Sequence, residues 1–357
     1  MSQEDRPFQN FLRVALRTLR YKWEQVGMLV FSLAVLILGS EAPIILRVLA
    51  VLFSLLLLYD VGDYFLTRLR EQRLKHVPLF VAIGVNDDEY IRMARMVWQA
   101  MSTPWNFDLH RYEEEYGLDR LRLSLHHESD LPQVGTRWLA LVEKFGERLV
   151  RLGSSLSGQT VLHPFLNCPT ALALGLGAVA GTRYEIILHQ LPQGGGSYQV
   201  VTSTLHSRQQ RGTGVEIVRQ DAPEPFQYVR VETEPQPPQS RLFVALHLGG
   251  YPLCAGIAQL AAAEGAAFAC VTNTYQGQLK PEDDWLLLVR EVKTLVARWL
   301  REPAVERIEL FLGGPVALFF LVGMALGTFL PLTVHQWFPD AKLYKAVLKL
   351  DQLRRIG

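Results

Sequence analysis

Residues 311–344 read FLGGPVALFFLVGMALGTFLPLTVHQWFPDAKLY, and a related stretch, FLNCPTALALGLGAVAGTRYEIILHQLPQGGGSY, occupies residues 165–198. The two align at a constant offset of 146 positions without a gap. Eleven of the 34 positions are identical, including a proline, two glycines, a His-Gln pair and a tyrosine. Chance similarity among apolar residues does not place that set in one register. The chain therefore contains one structural unit twice.

The two units also begin alike, because the sequence Leu-Phe-Val-Ala occurs at both 79–82 and 242–245. Each half reads as strand, helix, middle strand, long amphipathic helix, then strand, loop, helix and strand, which is typical of a Rossmann-like α/β unit. We place the first half at 77–201, a connector rich in Gln, Gly, Pro and Glu at 202–240, and the second half at 241–357. The predicted fold is a pseudo-twofold pair of such units.

A stretch without charge, 310–334, could be mistaken for a membrane helix. Pro315 and Pro331 interrupt it, and its copy in the first half carries Arg183 and Glu185. We therefore interpret this stretch as strand, loop, buried helix and strand of the soluble part.

An apolar region precedes the two units. Residues 26–40 and 42–59 are apolar runs, broken only by Glu41 between them and Arg47 in the second. We predict two transmembrane helices over 26–60 that form a hairpin, since no soluble segment separates them. A cleaved signal peptide is the alternative. Arg47 either snorkels to the outer headgroups or lines a polar seam in an oligomer, and we expect it to matter for a membrane effector.

Basic segments flank this hairpin. Residues 1–25 alternate apolar and basic positions at helical spacing, which indicates an interfacial helix or else a flexible tail, and residues 61–76 form a basic linker. Basic residues on both sides of the hairpin and none in its turn predict that both termini and the α/β part are cytoplasmic.

The overall composition limits the kind of partner. Thirty-six basic residues against 35 acidic ones give a net charge of +1, so no global field recruits long nucleic acid, and an anionic ligand needs a local site. The cysteines, Cys168, Cys254 and Cys270, are few and widely spaced, which predicts buried thiols in a reducing compartment, without a disulfide or structural zinc.

In open parallel α/β units, ligands bind beyond the carboxyl ends of the strands. The loops at these ends give the candidate ligand-binding residues, which are Gly84, Asn86, Asp87, Asn167, Cys168, Pro169, Thr170, Gly249, Gly250, Tyr251, Thr272, Asn273, Thr274, Tyr275, Gly313, Gly314 and Pro315. Together these loops could line one composite cleft between the halves. Each loop alone is more often only a turn, and Tyr251 and Tyr275 could equally cap the core. The matched His189 and His335 lie in apolar strands and fit a structural role better than a catalytic one.

Enzymatic motifs are missing: the sequence has no G-x-x-x-x-G-K-[ST], G-x-S-x-G or H-E-x-x-H pattern and no kinase set. The His-His-Glu run at 126–128 lacks a partner ligand, so we expect no metal and no cofactor. A binding protein rather than an enzyme is the simpler interpretation. A nucleotide-processing enzyme using Asp87, Asp88 or Glu89, or a passive anchored scaffold, remain the alternatives.

The strand-loop-helix FLGGPVALFFLVGMALG at 311–327, with Tyr344 near a final strand, resembles the SAVED domain, a pair of fused CARF-like Rossmann units. An apolar hairpin in front of it is similar to the transmembrane-SAVED effectors of CBASS, a bacterial antiphage defence. The resemblance extends over about 77–350 and implies that the loops 167–170 and 313–316 contact a ligand.

The resemblance implies a receptor for a cyclic oligonucleotide, commonly a cyclic trinucleotide, made by a cGAS-like nucleotidyltransferase after phage infection. It further implies that ligand binding drives homo-oligomerisation. For a member with a membrane hairpin, the implied location is the bacterial inner membrane. The implied partners are then the ligand and the lipid bilayer, and the implied outcome is membrane disruption and abortive infection.

Overall fold

The computed structural model describes residues 74–133, 135–156, 159–192, 195–205, 214–235, 239–249, 253–275 and 279–356, together with four isolated helical residues at 51, 54, 55 and 59. The chain divides into two compact regions, Met1–Lys75 and His76–Gly357. The second region contains both copies of the repeat, which are the first and second units.

The first sheet has the strand order β2-β1-β3-β4-β5. Its strands are β1 (Lys75–Ile83), β2 (Ser124–His127), β3 (Thr160–Asn167), β4 (Glu185–Gln190) and β5 (Gln199–Ser203). Its helices are α1 (Asp87–Trp105), α2 (Leu109–Tyr116), α3 (Arg120–Leu123), α4 (Thr136–Ser155) and α5 (Thr170–Ala180). The pairs β1-β2 and β3-β4 are parallel, and β5 closes the sheet antiparallel to β4.

The second sheet has the order β11-β10-β9-β7-β8-β6. Its strands are β6 (Val229–Thr233), β7 (Arg241–His247), β8 (Ala267–Asn273), β9 (Arg307–Gly313), β10 (Leu332–Phe338) and β11 (Leu343–Lys349). Its helices are α6 (Cys254–Glu264), α7 (Trp285–Leu300) and α8 (Val316–Leu326), and short 3-10 helices cover Gly214–Arg219 and Leu350–Arg355. Read from the other end and without β6, the second sheet is β8-β7-β9-β10-β11, which matches β2-β1-β3-β4-β5 of the first sheet.

This arrangement confirms a mixed α/β protein with two similar sheets. The edge strand β6 comes from the segment placed in the connector, and it pairs antiparallel with β8. The first sheet has no counterpart of β6 among its described strands. The two units are therefore repeats of one topology with one asymmetric addition.

The repeat reproduces side-chain geometry as well as strand order. In the first unit, the Phe165 ring stacks on the His189 ring at 4.2 Å and meets the Tyr198 ring edge-on at 4.9 Å. The second unit repeats these two contacts at 4.4 and 5.3 Å, between the matched rings of Phe311, His335 and Tyr344. The identical residues at an offset of 146 thus form one aromatic cluster per sheet.

The central helices α5 and α8 pack directly on one another between the two sheets, and nearly all their side chains are buried. A Cβ atom placed on Gly177 would overlap the backbone of Phe320, and one placed on Gly323 would overlap the backbone of Leu174. The offset of 146 relates Gly177 to Gly323 and Leu174 to Phe320, so the two contacts are equivalent in the two units. The two units therefore meet through backbones that only glycine allows to come so close.

The carboxyl ends of α5 and α8 also share one feature. Gly181 and Gly327 follow the two helices with positive φ angles of 54° and 66°. The Arg219 guanidinium lies near both glycines, and its Nε donates to the Met324 carbonyl at 3.4 Å. A positive charge at this place stabilises the negative ends of both helix dipoles.

The prediction of a bacterial inner-membrane location is contradicted. Within the ranges given above, no helix is both long enough and apolar enough to cross a membrane. The charge-free stretch 310–334 becomes β9, α8 and β10, and α8 has only 11 residues, whereas a span needs about 20. The predicted hairpin at 26–60, with Arg47, lies outside the described residues apart from the four isolated positions.

The absence of a disulfide was also predicted wrongly. Cys254 at the start of α6 and Cys270 in β8 form a disulfide with a Cα–Cα distance of 5.7 Å. A parallel strand-helix-strand unit returns the chain to the neighbouring strand, so cysteines 16 residues apart come into contact. Cys168 is free and buried, as the sequence indicates.

Three histidines form a hydrogen-bonded chain across β1, β3 and β4. His76 Nδ1 lies 2.8 Å from His163 Nε2, and His163 Nδ1 lies 2.9 Å from His189 Nε2. Burial lowers the pKa of His76 to about 4 and that of His189 to about 3, and it also lowers the pKa of His163 well below its ordinary value. The three rings are therefore neutral near pH 7, and each can donate one N–H and accept one.

The matched position of the second unit carries charge instead. Glu309, which takes the place of His163 in the repeat, lies 2.6 Å from His335 Nε2 and accepts from Arg241 Nε at 2.8 Å. Burial alone would raise the pKa of the Glu309 carboxyl, but the hydrogen bonds from His335 and Arg241 outweigh burial and lower it to about 2. One duplicated position is thus neutral in the first sheet and ionised in the second.

Substituting Gly323 by alanine should destabilise the protein, because the new Cβ would overlap the Leu174 carbonyl at the helix crossing. We expect a loss of about 1–3 kcal/mol in the free energy of unfolding, measured by urea denaturation. Gly256→Ala is the matched control, since a Cβ there meets no atom within 4 Å. The control should be neutral or stabilising by up to about 1 kcal/mol. Equal stability of the two variants would contradict the proposed close crossing.

The histidine chain predicts a loss of stability in mild acid. The folded state keeps these rings neutral, so stability is fully present above the unfolded pKa of 6.5 and falls as the pH drops toward the folded values of about 4 and 3. Each histidine that must take up a proton contributes about 1.4 kcal/mol per pH unit. His76→Gln should reduce the slope of unfolding free energy against pH between 6.5 and 4, whereas the exposed His110→Gln should not. An unchanged slope in His76→Gln would contradict this account.

Candidate functional site

The loop after β1 is shaped by backbone bonds to β2. Gly84 has a φ of +75°, and its N–H donates to the His127 carbonyl at 2.8 Å. The Asn86 side chain accepts from the Glu89 N–H and caps α1. Asp87 opens the helix, with its carboxylate 3.6 Å from His126 Nδ1. These candidate residues hold α1 and β2 together, and most of their polar groups already have partners.

The loop after β3 leaves more polar groups available. The Asn167 side-chain amide contacts only the Met93 sulfur, at 3.4 Å, among the described residues. Burial raises the pKa of the Cys168 thiol to about 12, so it is a neutral packing group and not a nucleophile. Pro169 precedes α5, and Thr170 is its first residue.

In the second unit, the loops after β7 and β9 touch through their backbones. The Leu248 N–H donates to the Gly313 carbonyl at 2.6 Å. A Cβ on Gly249 would lie 2.7 Å from the Gly314 Cα, and one on Gly314 would lie 2.9 Å from the Leu248 carbonyl oxygen. Glycine is therefore required for this approach. Gly250 and Tyr251 lie outside the described residues.

The loop after β8 lies beside this contact between the loops after β7 and β9. The Tyr275 hydroxyl donates to the Leu248 carbonyl at 3.4 Å, and burial raises the pKa of Tyr275 to about 12, so the phenol is neutral. The Asn273 side-chain amide donates to the Tyr275 carbonyl at 2.5 Å. Thr272 is buried and accepts from Arg230 Nε at 3.2 Å. The structure thus brings Gly249, Gly313, Gly314 and Tyr275 together around Leu248.

One hydrogen bond joins the start of α5 in the first unit to β10 in the second unit. The Ala171 N–H, in the first turn of α5, donates to Gln336 Oε1 of β10 at 3.5 Å. The start of α5 therefore lies beside the second sheet. The loop 84–87 instead contacts β2, as described above.

Sequence reasoning missed a buried carboxylate that positions the loop after β8. Glu291 of α7 is fully buried, and its two oxygens accept from the N–H groups of Gln227, Tyr228 and Val229 at 2.7, 2.9 and 3.0 Å. The Tyr228 carbonyl in turn accepts from the Thr274 N–H at 2.9 Å. Glu291 thus holds the start of β6 against the candidate loop.

The sequence did contain a signal for this role. Glu291 lies three residues after Leu288 and four before Leu295, on the apolar face of the amphipathic helix. A lone carboxylate on that face must be hydrogen-bonded when it is buried. The signal does not reveal which backbone it binds.

The helix starts differ in how their free N–H groups are satisfied. Side chains of Asn86, Asp108, Asp119 and Asp284 cap four helices, namely α1, α2, α3 and α7. The two repeated helices, α5 and α8, begin after Pro169 and Pro315 without any side-chain cap, and α4 and α6 also lack one. Because first-turn N–H groups favour anions, both repeated loops could bind a phosphate, and in α5 the Ala171 N–H already has an acceptor in Gln336 Oε1.

Comparison with known proteins agrees with this fold. Residues 204–350 match the model of the SAVED family, the "SMODS-associated and fused to various effectors sensor domain". The structure is similar to the Acinetobacter baumannii Cap4 SAVED/CARF-domain containing receptor solved with the cyclic trinucleotide 2'3'3'-cAAA, with a TM-score of 0.50 and 14% identity over 85% of this chain. This likeness confirms a fold like that of SAVED/CARF receptors.

Two further structures are more distant. The same Acinetobacter receptor with 3'3'3'-cAAA gives a TM-score of 0.49 at 14% identity, over 84% of this chain and 61% of that one. The Moraxella osloensis Cap4 receptor gives 0.46 at 12% identity, over 85% and 60%. This chain spans 61% of the length of the first Acinetobacter structure. No curated protein matches the sequence.

Replacing Glu291 with alanine should destabilise the second unit and free the strand it holds. Three backbone N–H groups, of which that of Val229 is buried, would lose their acceptor, so we expect a loss of about 3 kcal/mol in the free energy of unfolding. Hydrogen exchange of the amides of 227–229 should accelerate at least about tenfold, since 1.4 kcal/mol corresponds to tenfold. The exposed Glu302→Ala is the control and should change neither quantity. Unaltered exchange at 227–229 in Glu291→Ala would show that the carboxylate does not hold the strand.

Proposed function

We propose that this chain is a receptor for a cyclic oligonucleotide second messenger of CBASS-type defence, and specifically for a cyclic trinucleotide. The SAVED match at 204–350 and the fold likeness to a receptor solved with such a ligand support the class of ligand. The proposed position of the ligand rests on particular residues of this chain.

The observation that carries the proposal is the pair of matched, uncapped helix starts. α5 and α8 follow equivalent strands of the two repeats, cross each other at Gly177 and Gly323, and begin after a proline without a side-chain cap. A ligand with several phosphates on one ring offers an anion to each. Because the net charge is only +1, such local N–H groups are the natural source of anion binding.

Other candidate residues supply the remaining contacts of the proposed ligand. The backbone contact of Gly249 with Gly314 leaves a surface without side chains, where a sugar-phosphate can approach closely. Tyr275 offers an aromatic face for stacking a base, and Asn167 offers an amide for hydrogen bonds to a base edge. The two halves differ at these positions, so they would contact different parts of the ring.

We further propose that the chain is a receptor and not an enzyme, and that ligand binding drives homo-oligomerisation. In the enzyme alternative, Asp87, Asp88 or Glu89 would supply the acid; Asp87 and Glu89 form exposed ion pairs with His126 and Arg92 at 3.6 and 3.5 Å. Membrane disruption is left out of the proposal, because the predicted membrane location is contradicted.

The test is calorimetric titration of the full chain with a panel of cyclic di-, tri- and tetranucleotides. We expect saturable binding of at least one cyclic trinucleotide, recovery of that ligand unaltered by chromatography, and a larger particle in size-exclusion chromatography with ligand. No binding across the panel would contradict the receptor. Cleaved ligand would favour the enzyme, and an unchanged particle size would refute oligomerisation alone.

Asn167→Ala tests the site itself. The substitution removes an amide that has one weak partner, the Met93 sulfur, so the fold should keep its stability while affinity for the cyclic trinucleotide falls about tenfold, equivalent to about 1.4 kcal/mol. Gly256→Ala, in open space on α6, should bind as the wild type does. Equal affinity of Asn167→Ala and wild type would remove Asn167 from the site.

A further inference from the structure

A basic groove lies at the amino edge of the first sheet. It has a volume of about 590 Å³ and lies between α3 and the last turns of α4. α3 leads directly into the first residue of β2, and α4 ends shortly before β3 begins at Thr160. The groove is therefore at the amino edge of the sheet, whereas the candidate loops described above follow the carboxyl ends of the strands.

Arginines dominate the charge of this groove. Arg122, Arg148 and Arg151 line it, and Asp119 is the one carboxylate among its described lining residues. Asp119 already accepts from the Arg122 N–H at 2.8 Å as the cap of α3. Arg151 has only an exposed, 3.7 Å ion pair with Glu147, and such pairs contribute little. The groove keeps a net positive charge.

Arg148 is the least satisfied of the three. Its Nη1 atom is buried and has no hydrogen-bond partner among the described residues. Burial lowers the pKa of Arg148, which shows that its charge is poorly solvated. A buried donor without an acceptor costs about 1–3 kcal/mol. Because Nη1 is buried, an anion in the groove would supply that acceptor once the Arg148 side chain turns toward it.

The groove is larger than a single inorganic anion needs. Its volume falls within the range of about 300–1,000 Å³ that small-molecule sites occupy. Leu121, with 75% of its surface exposed, forms an apolar wall beside the arginines. The hydroxyl of Ser155 lies at the same groove. Guanidinium groups bind phosphate oxygens in pairs, and an apolar wall suits a base.

We propose that this groove binds a nucleoside polyphosphate, with Arg148, Arg122 and Arg151 on the phosphates and Leu121 beside the base. The site is separate from the proposed cyclic-nucleotide site and does not depend on it. The proposal rests on the unpartnered buried guanidinium, the net positive charge and the size of the groove.

The test is titration of the full chain with ATP, tripolyphosphate and adenosine. We expect saturable binding of ATP, weaker binding of tripolyphosphate and none of adenosine. Arg148→Gln should weaken ATP binding at least tenfold without lowering the thermal midpoint, because the buried Arg148 Nη1 has no hydrogen-bond partner among the described residues. Arg92→Gln is the matched control, since Arg92 is exposed on α1 with a 3.5 Å ion pair to Glu89. Arg151→Gln, on the rim, tests the same site if Arg148→Gln does not fold.

Three results would overturn the proposal. They are no saturable ATP binding, equal affinity in wild type and the folded arginine variant, and displacement of ATP by a cyclic trinucleotide that binds the chain. The last would place ATP in the carboxyl-edge site. Failure of cyclic trinucleotides to bind would contradict only the receptor proposal and would leave the ATP result unaffected.

Discussion

The direct backbone contact between α5 and α8 is the constraint on which the rest of this structure depends. At Gly177 and Gly323, no side chain separates the two helices, so their relative position is set by main-chain atoms alone. Each helix is joined to its own sheet by a short loop after an equivalent strand. Fixing the helix crossing therefore fixes both sheets, and with them the two loops that begin the helices. The pseudo-twofold arrangement of the candidate site follows from one glycine contact made twice.

The two units share the packing of their aromatic rings but differ in the charge of a matched buried residue. The Phe-His-Tyr ring contacts are nearly identical in the two units, but the neighbouring buried position is His163 in one and Glu309 in the other. A chain of neutral imidazoles and an ionised Glu309 paired with Arg241 have different hydrogen-bonding demands and different responses to pH. Together with β6 and Glu291, which have no counterpart among the described residues of the first unit, this divergence makes the two units chemically unequal.

Much of the fold could be predicted from the sequence, because a gap-free register of proline, glycine, histidine and tyrosine reports directly on shared geometry. The apolar stretch 310–334 was assigned correctly for the same reason, since its copy carries charges that a membrane helix would not. The inner-membrane location was wrong, because apolar runs at 26–60 were the basis for it and no described helix could span a bilayer. Patterns along the chain could not reveal contacts made by folding. The Cys254–Cys270 disulfide, the clamp of Glu291 on 227–229 and the approach of Arg122 to Arg148 all join segments that look independent in the sequence.

The two proposed sites, one at the carboxyl ends of the strands of both sheets and one at the amino edge of the first sheet, would bind anions by different physics. At the carboxyl edge, the partial charges are main-chain N–H groups of two helix starts, which act only at short range and in fixed directions. At the amino edge, three arginines carry full charges that act over about 8–10 Å at physiological salt. Recognition by main-chain groups depends on the shape and spacing of the phosphates, so it can discriminate between rings of different size. Recognition by arginine depends chiefly on charge. A chain with a net charge of only +1 can thus combine a site that selects the ring with a site that binds a nucleoside polyphosphate through charge, without attracting polyanions along its whole surface.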